Sequence, residues 1–410
     1  MSFRILHTSD WHLGKRLGDF SRGAEHQAFL QWLLDTVEDQ KVDCLVIAGD
    51  IFDTKSPGPA TREIYYQFLH DLSKTSCKHT VIVGGNHDSA AVLDAPRQLL
   101  KAFGVKVIGG AREDSSDEVL TLEEDGKVEC IVGAVPFLKD GDLRSGSGTP
   151  DHESLKKQLI EGLSEHYQKV VDTGYALAQE HKVPLVLTGH LYAQGCQLSE
   201  STRDIHIGNL ASVGSQIFVP DKVDYVALGH LHKPQKVGSQ EKIRYSGSPL
   251  PLAFDESNQK YVLLVDLEPG VEAKVEKLEI PLFSELRTLQ GVLSEIIQQI
   301  TDLEVTENTL SLYLNLQLSD IQKFHPIHSI QESLDGHAQK EKLKLVKVSM
   351  PQARLNLVEE SKSFDELSLN PKELFHTLIE QNEWQDEEKE ILTRLHLALD
   401  QVLENESENQ

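Results

Sequence analysis

Cysteine is scarce in this sequence of 410 residues, and long apolar runs are missing. The four cysteines are scattered without a Cys-x-x-Cys pair, which argues against a disulfide framework or a zinc scaffold and predicts reduced structural thiols. No apolar stretch is long enough to cross a bilayer, and the first residues lack the apolar core of a secretion signal. We therefore expect a cytoplasmic protein.

Positive charge is also in short supply. The formal net charge is −25, and residues 359–410 alone carry fifteen acidic and four basic side chains. The rest of the chain is still too acidic to favour a polyanion such as DNA. Bound divalent metals, a local basic patch or a basic partner would have to offset this charge.

The length suits two or three domains, and 39% hydrophobic residues are enough for a real core. In residues 1–270, short β-branched runs alternate with patterns typical of amphipathic helices, and one such helix is predicted at 90–103. This alternation predicts a layered α/β domain. The spacing of apolar residues changes in residues 281–352, where a helix is predicted at 289–300. This segment is predicted to form a small α+β domain. Residues 359–410 predict a polar linker followed by an acidic amphipathic helix.

Five short polar signals each follow a predicted strand. They are Asp10-Trp11-His12, Gly49-Asp50, Gly85-Asn86-His87-Asp88, Gly189-His190 and Gly229-His230-Leu231-His232. Ligands of open α/β sheets gather outside the carboxyl ends of the strands, so these distant segments should converge on one edge. The glycines would let the backbone approach the cluster closely.

The side chains in these signals are typical metal ligands. Aspartate, asparagine and histidine without cysteine select manganese, iron or zinc rather than copper or an iron–sulfur cluster. Seven such side chains suffice for two ions if one carboxylate bridges them, and Asp50 is the natural bridge. A single Asp-x-His triplet is a weak signal because it occurs often by chance, whereas five signals in this order are a strong one.

The ordered set resembles the calcineurin-like metallophosphoesterase superfamily. More narrowly, residues 5–14, 48–54 and 245–251 resemble the SbcD family of bacterial nuclease subunits, and the similarity extends over the whole chain. The resemblance implies a four-layer sandwich, in which helices flank two sheets. It also implies a small DNA-capping domain and a C-terminal helix that binds an ATPase partner.

The same resemblance implies two metal sites that share one ligand. The first ion would be held by Asp10, His12, Asp50 and His232. The second ion would be held by Asp50, Asn86, His190 and His230. Manganese is the metal that the family uses best.

The resemblance further implies that His87 is the catalytic histidine, which contacts the scissile phosphate or protonates the leaving oxygen. Histidine suits such proton transfer because it titrates near neutral pH. Asp53 departs from the family pattern, because archaeal and eukaryotic counterparts carry a histidine at this position. A carboxylate cannot act as a cation towards phosphate, so Asp53 is given no catalytic role.

The implied function is that of a metal-dependent DNA nuclease, a 3′–5′ exonuclease on double strands and an endonuclease on single strands and hairpins. It would act at the nucleoid with an SbcC-type coiled-coil ATPase in DNA recombination, replication and repair. A homodimer within a heterotetramer is expected, supported in the sequence by apolar positions taken to be exposed: Leu30, Leu33 and Leu34.

Two alternatives remain open. One keeps the same chemistry for small substrates, either cyclic nucleotides or nucleotide polyphosphates. Such enzymes usually end near the first-domain boundary, whereas this chain continues beyond residue 281. The other is a metal-free scaffold, which would be expected to have lost ligands, although none is missing here.

Some further residues have more than one interpretation. His7 is expected to be a hydrogen-bonded structural histidine, and Trp11 is expected to pack rather than stack on bases. Asp88 would orient His87 or a neighbouring loop, or simply form the turn. Residues 203–208 would form a strand that closes the sheet. Surface charges that could also meet phosphates are Lys15, Arg16, Arg22, Lys55 and Arg62.

Overall fold

The computed structural model describes residues 2–143, 152–197, 213–306, 309–319 and 326–350. The strand predicted at 203–208 and the acidic linker and helix predicted at 359–410 lie outside these residues. The chain divides into two compact units, Met1–Pro351 and Gln352–Gln410, and every element described below belongs to the first. Within the described ranges, no helix has both the length and the apolar character needed to cross a membrane.

Strands are distributed along the whole first unit. In chain order they are β1 (Phe3–Thr8), β2 (Arg16–Leu17), β3 (Phe20–Ser21), β4 (Cys44–Ala48), β5 (His79–Val83), β6 (Val105–Ile108), β7 (Val119–Glu124), β8 (Lys127–Gly133), β9 (Leu185–His190), β10 (Tyr225–Gly229), β11 (Gln235–Val237), β12 (Gln240–Tyr245), β13 (Lys260–Leu267), β14 (Lys274–Ile280), β15 (Ser284–Gly291), β16 (Ser311–Leu318) and β17 (Leu343–Ser349).

Helices alternate with these strands. They are α1 (Gly23–Asp39), α2 (Pro59–Leu72), α3 (Ala90–Asp94), α4 (Arg97–Lys101), α5 (Asp140–Leu143), α6 (His152–His181), α7 (Leu293–Thr301) and α8 (Pro326–Gly336). The single helix predicted at 90–103 is wrong, because the chain breaks into α3 and α4 at Pro96. Proline lacks the backbone N–H that an interior helical position needs, and its ring clashes with the preceding turn.

Two six-stranded sheets dominate the first 280 residues. The first has the order β14-β13-β1-β4-β5-β6, and the second has the order β11-β12-β10-β9-β8-β7. Strands β1, β4, β5 and β6 run parallel in the first sheet, as do β8, β9, β10 and β12 in the second. The carboxyl ends of these strands therefore lie together at one edge of each sheet.

The two sheets face each other across a buried apolar layer. This layer contains Ile5 and Val46 of the first sheet and Val132 and Ala227 of the second. Alternate strand residues face the opposite way, where α1 and α2 cover the first sheet and α6 covers the second. The predicted four-layer α/β sandwich is thus confirmed.

The first sheet continues past residue 270, where the sequence placed the end of its first domain. Strand β14 pairs antiparallel with β13 as the edge strand. Lys274 and Glu276 on β14 are exposed, and charged side chains of this kind discourage edge-to-edge aggregation. The three strands that follow form a separate parallel sheet in the order β15-β16-β17.

This second part of the unit, residues 284–349, is called the small module below. Its core packs α7 and α8 against β16, with Ile296, Ile300 and Ile330 fully buried. Strand β15 was not predicted from the sequence, and the helix predicted at 289–300 begins only at Leu293. Apolar residues at 286, 289, 293 and 296 keep a helical spacing across the junction, so periodicity alone extended the helix backwards.

The cysteines form no disulfide. Cys44, Cys77, Cys130 and Cys196 are all free thiols, and the first three are buried. Burial raises the pKa of the Cys44 thiol well above its ordinary value. These are inert structural thiols, as the sequence predicted.

Candidate metal centre

The polar signals of the sequence meet at the carboxyl edges of the two large sheets. Asp10, Asp50 and Asn86 follow β1, β4 and β5, whereas His190 ends β9 and His230 follows β10. All seven predicted ligands are brought together there, and every one except the half-buried Asn86 is buried. The side chains fall into two groups that share Asp50.

The first group consists of Asp10, His12 and His232 beside Asp50. One ligand atom from each of Asp10, His12 and His232 lies within 4.8 Å of the others. The His12 Nε2 atom lies 3.6 Å from Asp50 Oδ2. This nitrogen is buried and hydrogen-bonds to no described residue, as a metal-binding nitrogen would.

The second group consists of Asn86, His190 and His230 beside Asp50. Asn86 Oδ1 lies 3.0 Å from His190 Nε2 and 3.0 Å from His230 Nδ1. His190 Nδ1 donates a hydrogen bond of 2.9 Å to the carbonyl oxygen of Ala48, which can only accept. In the neutral ring Nε2 therefore carries a lone pair, although Asp50 Oδ2 lies only 3.2 Å away.

This convergence of acceptor atoms requires positive charge. Burial lowers the pKa of His190, but the Asp50 and Asp10 carboxylates outweigh burial and raise it to about 9. A divalent cation held by these residues would supply such positive charge. The donor set of carboxylate, amide oxygen and imidazole fits manganese, iron or zinc.

Backbone strain is concentrated at the ligands. Asp10, His12, Asp50 and His230 have φ values of 54°, 46°, 51° and 97°, in the left-handed region that non-glycine residues avoid. Such conformations cost about 1–3 kcal/mol each and persist only where the surroundings enforce them. Asp10 N–H donates to Gly49 O at 3.0 Å, and His12 N–H donates to Asp50 O at 3.0 Å.

Two glycines explain how the loops come so close. A Cβ atom on Gly85 would lie 2.1 Å from Asp50 Oδ1, and a Cβ atom on Gly229 would lie 1.9 Å from Ala48 O. Any side chain at either position would therefore push a ligand loop outwards.

Comparison with known proteins agrees with this geometry. Residues 3–234 match the family described as calcineurin-like phosphoesterase. The chain is 32% identical to the SbcD component of the nuclease SbcCD from Escherichia coli K12 over 406 residues, covering 99% of this chain and all of that protein. This chain belongs to the SbcD family of calcineurin-like phosphoesterases.

Other members of the family match over most of their length. The SbcD protein of Rhodobacter capsulatus is 32% identical over 348 residues, covering 81% of this chain and 84% of that protein. The SbcD protein of Bacillus subtilis is 31% identical over 345 residues, with the same coverage. The resemblance stated from the sequence motifs is confirmed.

His87, which the sequence resemblance predicts to be catalytic, lies beside the first group of ligands. The His87 ring is 4.8 Å from the His12 ring, between centroids. The His87 backbone N–H donates to Asp50 Oδ1 at 2.9 Å, and its Nδ1 lies 2.9 Å from the carbonyl oxygen of Asp53. Because a carbonyl only accepts, Nδ1 carries a hydrogen, and in the neutral ring Nε2 carries the lone pair.

Asp88 connects two ligand loops. Its carboxylate accepts hydrogen bonds from the N–H groups of Gly85 at 2.9 Å, Phe52 at 3.0 Å and Ile51 at 3.1 Å. Burial and the nearby Asp50 carboxylate raise the pKa of Asp88 to about 6 despite these bonds. The prediction that Asp88 orients a neighbouring loop is confirmed.

Asp53 contacts a predicted ligand from outside the cluster. Its Oδ1 lies 3.3 Å from His12 Nδ1 and 3.2 Å from Lys15 Nζ. Burial raises the pKa of Asp53, but these two partners more than offset it and hold it at about 2. Asp53 Oδ1 and His12 Nδ1 are not hydrogen-bonded, but a carboxylate in this position favours a hydrogen on Nδ1 of His12 and so leaves Nε2 for a metal.

His232 has a comparable partner that sequence reasoning missed. Its Nδ1 lies 3.1 Å from Glu256 Oε1, and the other oxygen of Glu256 accepts from Lys260 Nζ at 2.6 Å. Both Glu256 and Lys260 are buried. Burial alone would raise the pKa of Glu256, but Lys260 and His232 outweigh burial and hold this pKa well below its ordinary range. In the sequence, this partner is indicated only by the spacing of four residues between Glu256 and Lys260, which suits an ion pair.

The remaining candidate residues have structural contacts. His7 Nδ1 lies 3.0 Å from the Tyr225 hydroxyl, and its Nε2 lies 3.2 Å from the carbonyl oxygen of Leu228, so the predicted structural role is confirmed. Trp11 is fully buried with its ring against Phe29 and Phe68, which confirms the prediction that it packs.

One charged position does not behave as the sequence suggested. Arg22, considered as a possible phosphate contact, is fully buried. Lys15 keeps partial exposure beside the Asp53 carboxylate, close to the predicted ligand His12.

Proposed function

We propose that the chain hydrolyses DNA phosphodiester bonds with two divalent cations held by the seven clustered side chains. The observation that carries this proposal is the arrangement of ligands in two groups that share Asp50. The membership of the chain in a family of nuclease subunits supports the choice of substrate. Small-substrate hydrolysis is less well supported, because the Escherichia coli relative matches along its whole length.

In this proposal Asp10, His12, Asp50 and His232 bind the first ion. Asp50, Asn86, His190 and His230 bind the second. When bound, the ions neutralise the phosphate and lower the pKa of water so that hydroxide is available near neutral pH. Manganese is the proposed metal, since the nitrogen and oxygen donors suit it.

The protein's own side chains perform the remaining steps. Glu256 holds the hydrogen on the outer nitrogen of His232 and so keeps the inner nitrogen aimed at the metal. The Asp53 carboxylate, 3.3 Å from Nδ1 of His12, favours the same tautomer of His12 through its charge. His87 offers Nε2 to the scissile phosphate or to the departing oxygen, because Nδ1 is engaged with the Asp53 carbonyl. Either contact stabilises charge that develops as the ester bond breaks.

The proposed substrates are DNA ends and hairpins, cleaved as a 3′–5′ exonuclease on duplexes and as an endonuclease on hairpins and single strands. The proposed partner is an SbcC-type ATPase at the nucleoid. Cleavage of labelled linear and hairpin duplexes, with and without manganese and the ATPase, tests this directly. Manganese-dependent DNA cleavage is expected, whereas hydrolysis of cyclic nucleotides without any DNA cleavage would overturn the proposal.

We also propose a homodimer, although its sequence argument needs correction. Leu30 and Leu33 are 4% and 0% exposed because they pack α1 onto the first sheet, so they cannot form an interface. The exposed apolar side chains of this part of the chain include Tyr66 on α2 and Leu99 on α4. Light scattering of the purified chain at micromolar concentration measures the association state.

The acidic segment 359–410 is the proposed contact with the ATPase. Its apolar stripe follows a polar linker, and its charge makes it a poor ligand for DNA. Deleting these residues is expected to abolish co-purification with the ATPase while manganese binding and basal phosphodiesterase activity stay unchanged. Undiminished complex formation, or loss of the basal activity, would show that the segment belongs to the catalytic unit instead.

The contact between Asp53 and His12 gives a second expected result. Asp53→Ala should weaken manganese binding at the first site by about 10- to 100-fold, because His12 Nδ1 loses the carboxylate that lies beside it. Asp53→Asn keeps an oxygen beside this nitrogen and should lose less. Calorimetric titration with manganese measures both, with exposed Asp19→Ala as the matched control. An Asp53→Ala protein with wild-type affinity contradicts this role.

A further inference from the structure

The small module is joined to the catalytic domain through a buried charged residue. Arg22, 0% exposed, donates from Nη1 to the carbonyl oxygen of Pro251 at 2.7 Å and from Nη2 to Ser284 Oγ at 2.5 Å. Its guanidinium carbon also lies 5.5 Å from the ring centroid of Tyr313. Arg22 belongs to the catalytic domain, whereas Ser284 and Tyr313 belong to β15 and β16 of the small module.

A second buried pair strengthens this junction. The Tyr313 hydroxyl donates to Glu25 Oε1 at 2.8 Å, and Glu25 is only 1% exposed. Leu17 of the catalytic domain packs with Leu286 and Tyr313 of the small module in a small apolar cluster. Removing the module would therefore expose one charge of each sign and this apolar surface.

The first turn of α1 connects this junction to two predicted ligands. Arg22 and Glu25 flank the start of α1, and His26 in the same turn lies with its Nε2 3.1 Å from the carbonyl oxygen of Trp11. Trp11 is the residue between Asp10 and His12, and both of these neighbours have left-handed backbone. The small module thus fixes the first turn of α1, and this turn fixes the strained backbone from Asp10 to His12.

A separate set of bonds connects the junction to the third ligand of the same group. Asn258 donates to the carbonyl oxygen of Leu286 at 3.0 Å and accepts from the N–H of Leu286 at 2.9 Å. Asn258 lies two residues from Glu256, whose carboxylate accepts from the N–H of Leu252 at 3.1 Å and contacts His232. Leu252 in turn follows Pro251, to which Arg22 is bonded.

Both sets of bonds lead to the first group of ligands. In the second group, His190 is held by the carbonyl oxygen of Ala48 inside the sandwich and Asn86 follows β5. Its His230 backbone N–H donates to Asp10 Oδ1 at 2.9 Å, so the second group meets these sets of bonds only indirectly, through Asp10. We infer that the small module is a positioning element for the first metal site, through Arg22, Tyr313 and Asn258. The inference rests on the proposed two-metal function and assigns unequal roles to the two sites.

Manganese titration of the full chain tests the inference. Tyr313→Phe combined with Ser284→Ala removes the hydroxyl groups bonded to Glu25 and Arg22 while retaining the apolar packing. The affinity of the first site is expected to fall by about tenfold or more, in the range seen when partners of metal ligands are removed. The affinity of the second site should fall much less, because only the bond from His230 N–H to Asp10 and the shared Asp50 connect it to the junction.

Reference variants identify the sites and control for the chemistry of the substitution. The binding step lost in His232→Ala marks the first site, and the step lost in His230→Ala marks the second. Tyr261→Phe on β13, beside Lys277, removes a hydroxyl away from the junction and should change neither step. Asn258→Ala should repeat the effect of the double variant through the other set of bonds.

The outcomes separate this inference from the function on which it rests. If the wild-type chain binds fewer than two manganese ions, the two-metal proposal itself fails. If the wild type binds two ions and the double variant binds both with unchanged affinity, the positioning role is overturned. An equal loss of affinity at both sites, together with a lower unfolding temperature, would show general structural support and would also overturn it.

Discussion

Asp50→Asn is expected to cause the largest loss of bound metal of any single substitution in the cluster. Asp50 Oδ2 lies 3.2 Å from His190 Nε2 and 3.6 Å from His12 Nε2, so its carboxylate faces both groups of ligands. Asparagine keeps the shape of the side chain but removes the charge that both cations need. Cleavage should fall about a thousandfold or more, equivalent to several kcal/mol of lost transition-state stabilisation.

Elemental analysis of the purified variants, together with cleavage rates, measures this result. Asp94→Asn is a matched control, because Asp94 forms an ion pair with Arg112 outside the cluster. Asp10→Ala and His232→Ala should each weaken mainly one site. The bridging role of Asp50 is wrong if either of these variants retains less metal than Asp50→Asn.

The position of Asp50 at the edge of the sheet could be predicted from the sequence because short local patterns encode it. A buried β-branched run followed by glycine and a polar residue marks a strand end, and parallel strands place their ends together. Asp50 and Asn86 follow adjacent strands, β4 and β5, that pair in parallel. The residues of the centre could therefore be proposed without knowing how the rest of the chain packs.

The supporting contacts could not be predicted, because they depend on residues far apart in the chain. Arg22 is 262 positions from Ser284, and Glu25 is 288 positions from Tyr313. Nothing near Arg22 in the sequence distinguishes a buried arginine from a surface charge. Strand β15 is not predicted either, and its last three residues are assigned to a helix. Glu256 likewise becomes a partner of His232 only once β13 brings the preceding loop against the centre.

Leu30 and Leu33 illustrate the same limit for apolar residues. Their helical spacing correctly predicts an apolar face on α1, but periodicity does not say what that face contacts. In the fold this face lies on the outer side of the first sheet, with Phe29 and Val37. The apolar face therefore stabilises the sandwich, and any dimer must use other side chains.

His87→Gln is expected to leave both metal ions bound and to reduce cleavage of DNA by about a hundred- to ten-thousandfold. Glutamine can still donate a hydrogen bond to the Asp53 carbonyl, which His87 Nδ1 contacts at 2.9 Å, so the loop should keep its position. Glutamine cannot exchange a proton near neutral pH. The variant thus separates the chemistry of the ring from its structural contacts, with exposed His328→Gln as the control.

The choice of substrate then distinguishes the two roles open to His87. If Nε2 protonates the departing oxygen of DNA, hydrolysis of bis-p-nitrophenyl phosphate should be far less affected by His87→Gln, because nitrophenolate leaves as a stable anion without a proton. If His87 instead contacts the phosphate, both substrates should slow to a similar extent. Loss of the bound metals, or near-normal cleavage of DNA, would remove His87 from the reaction altogether.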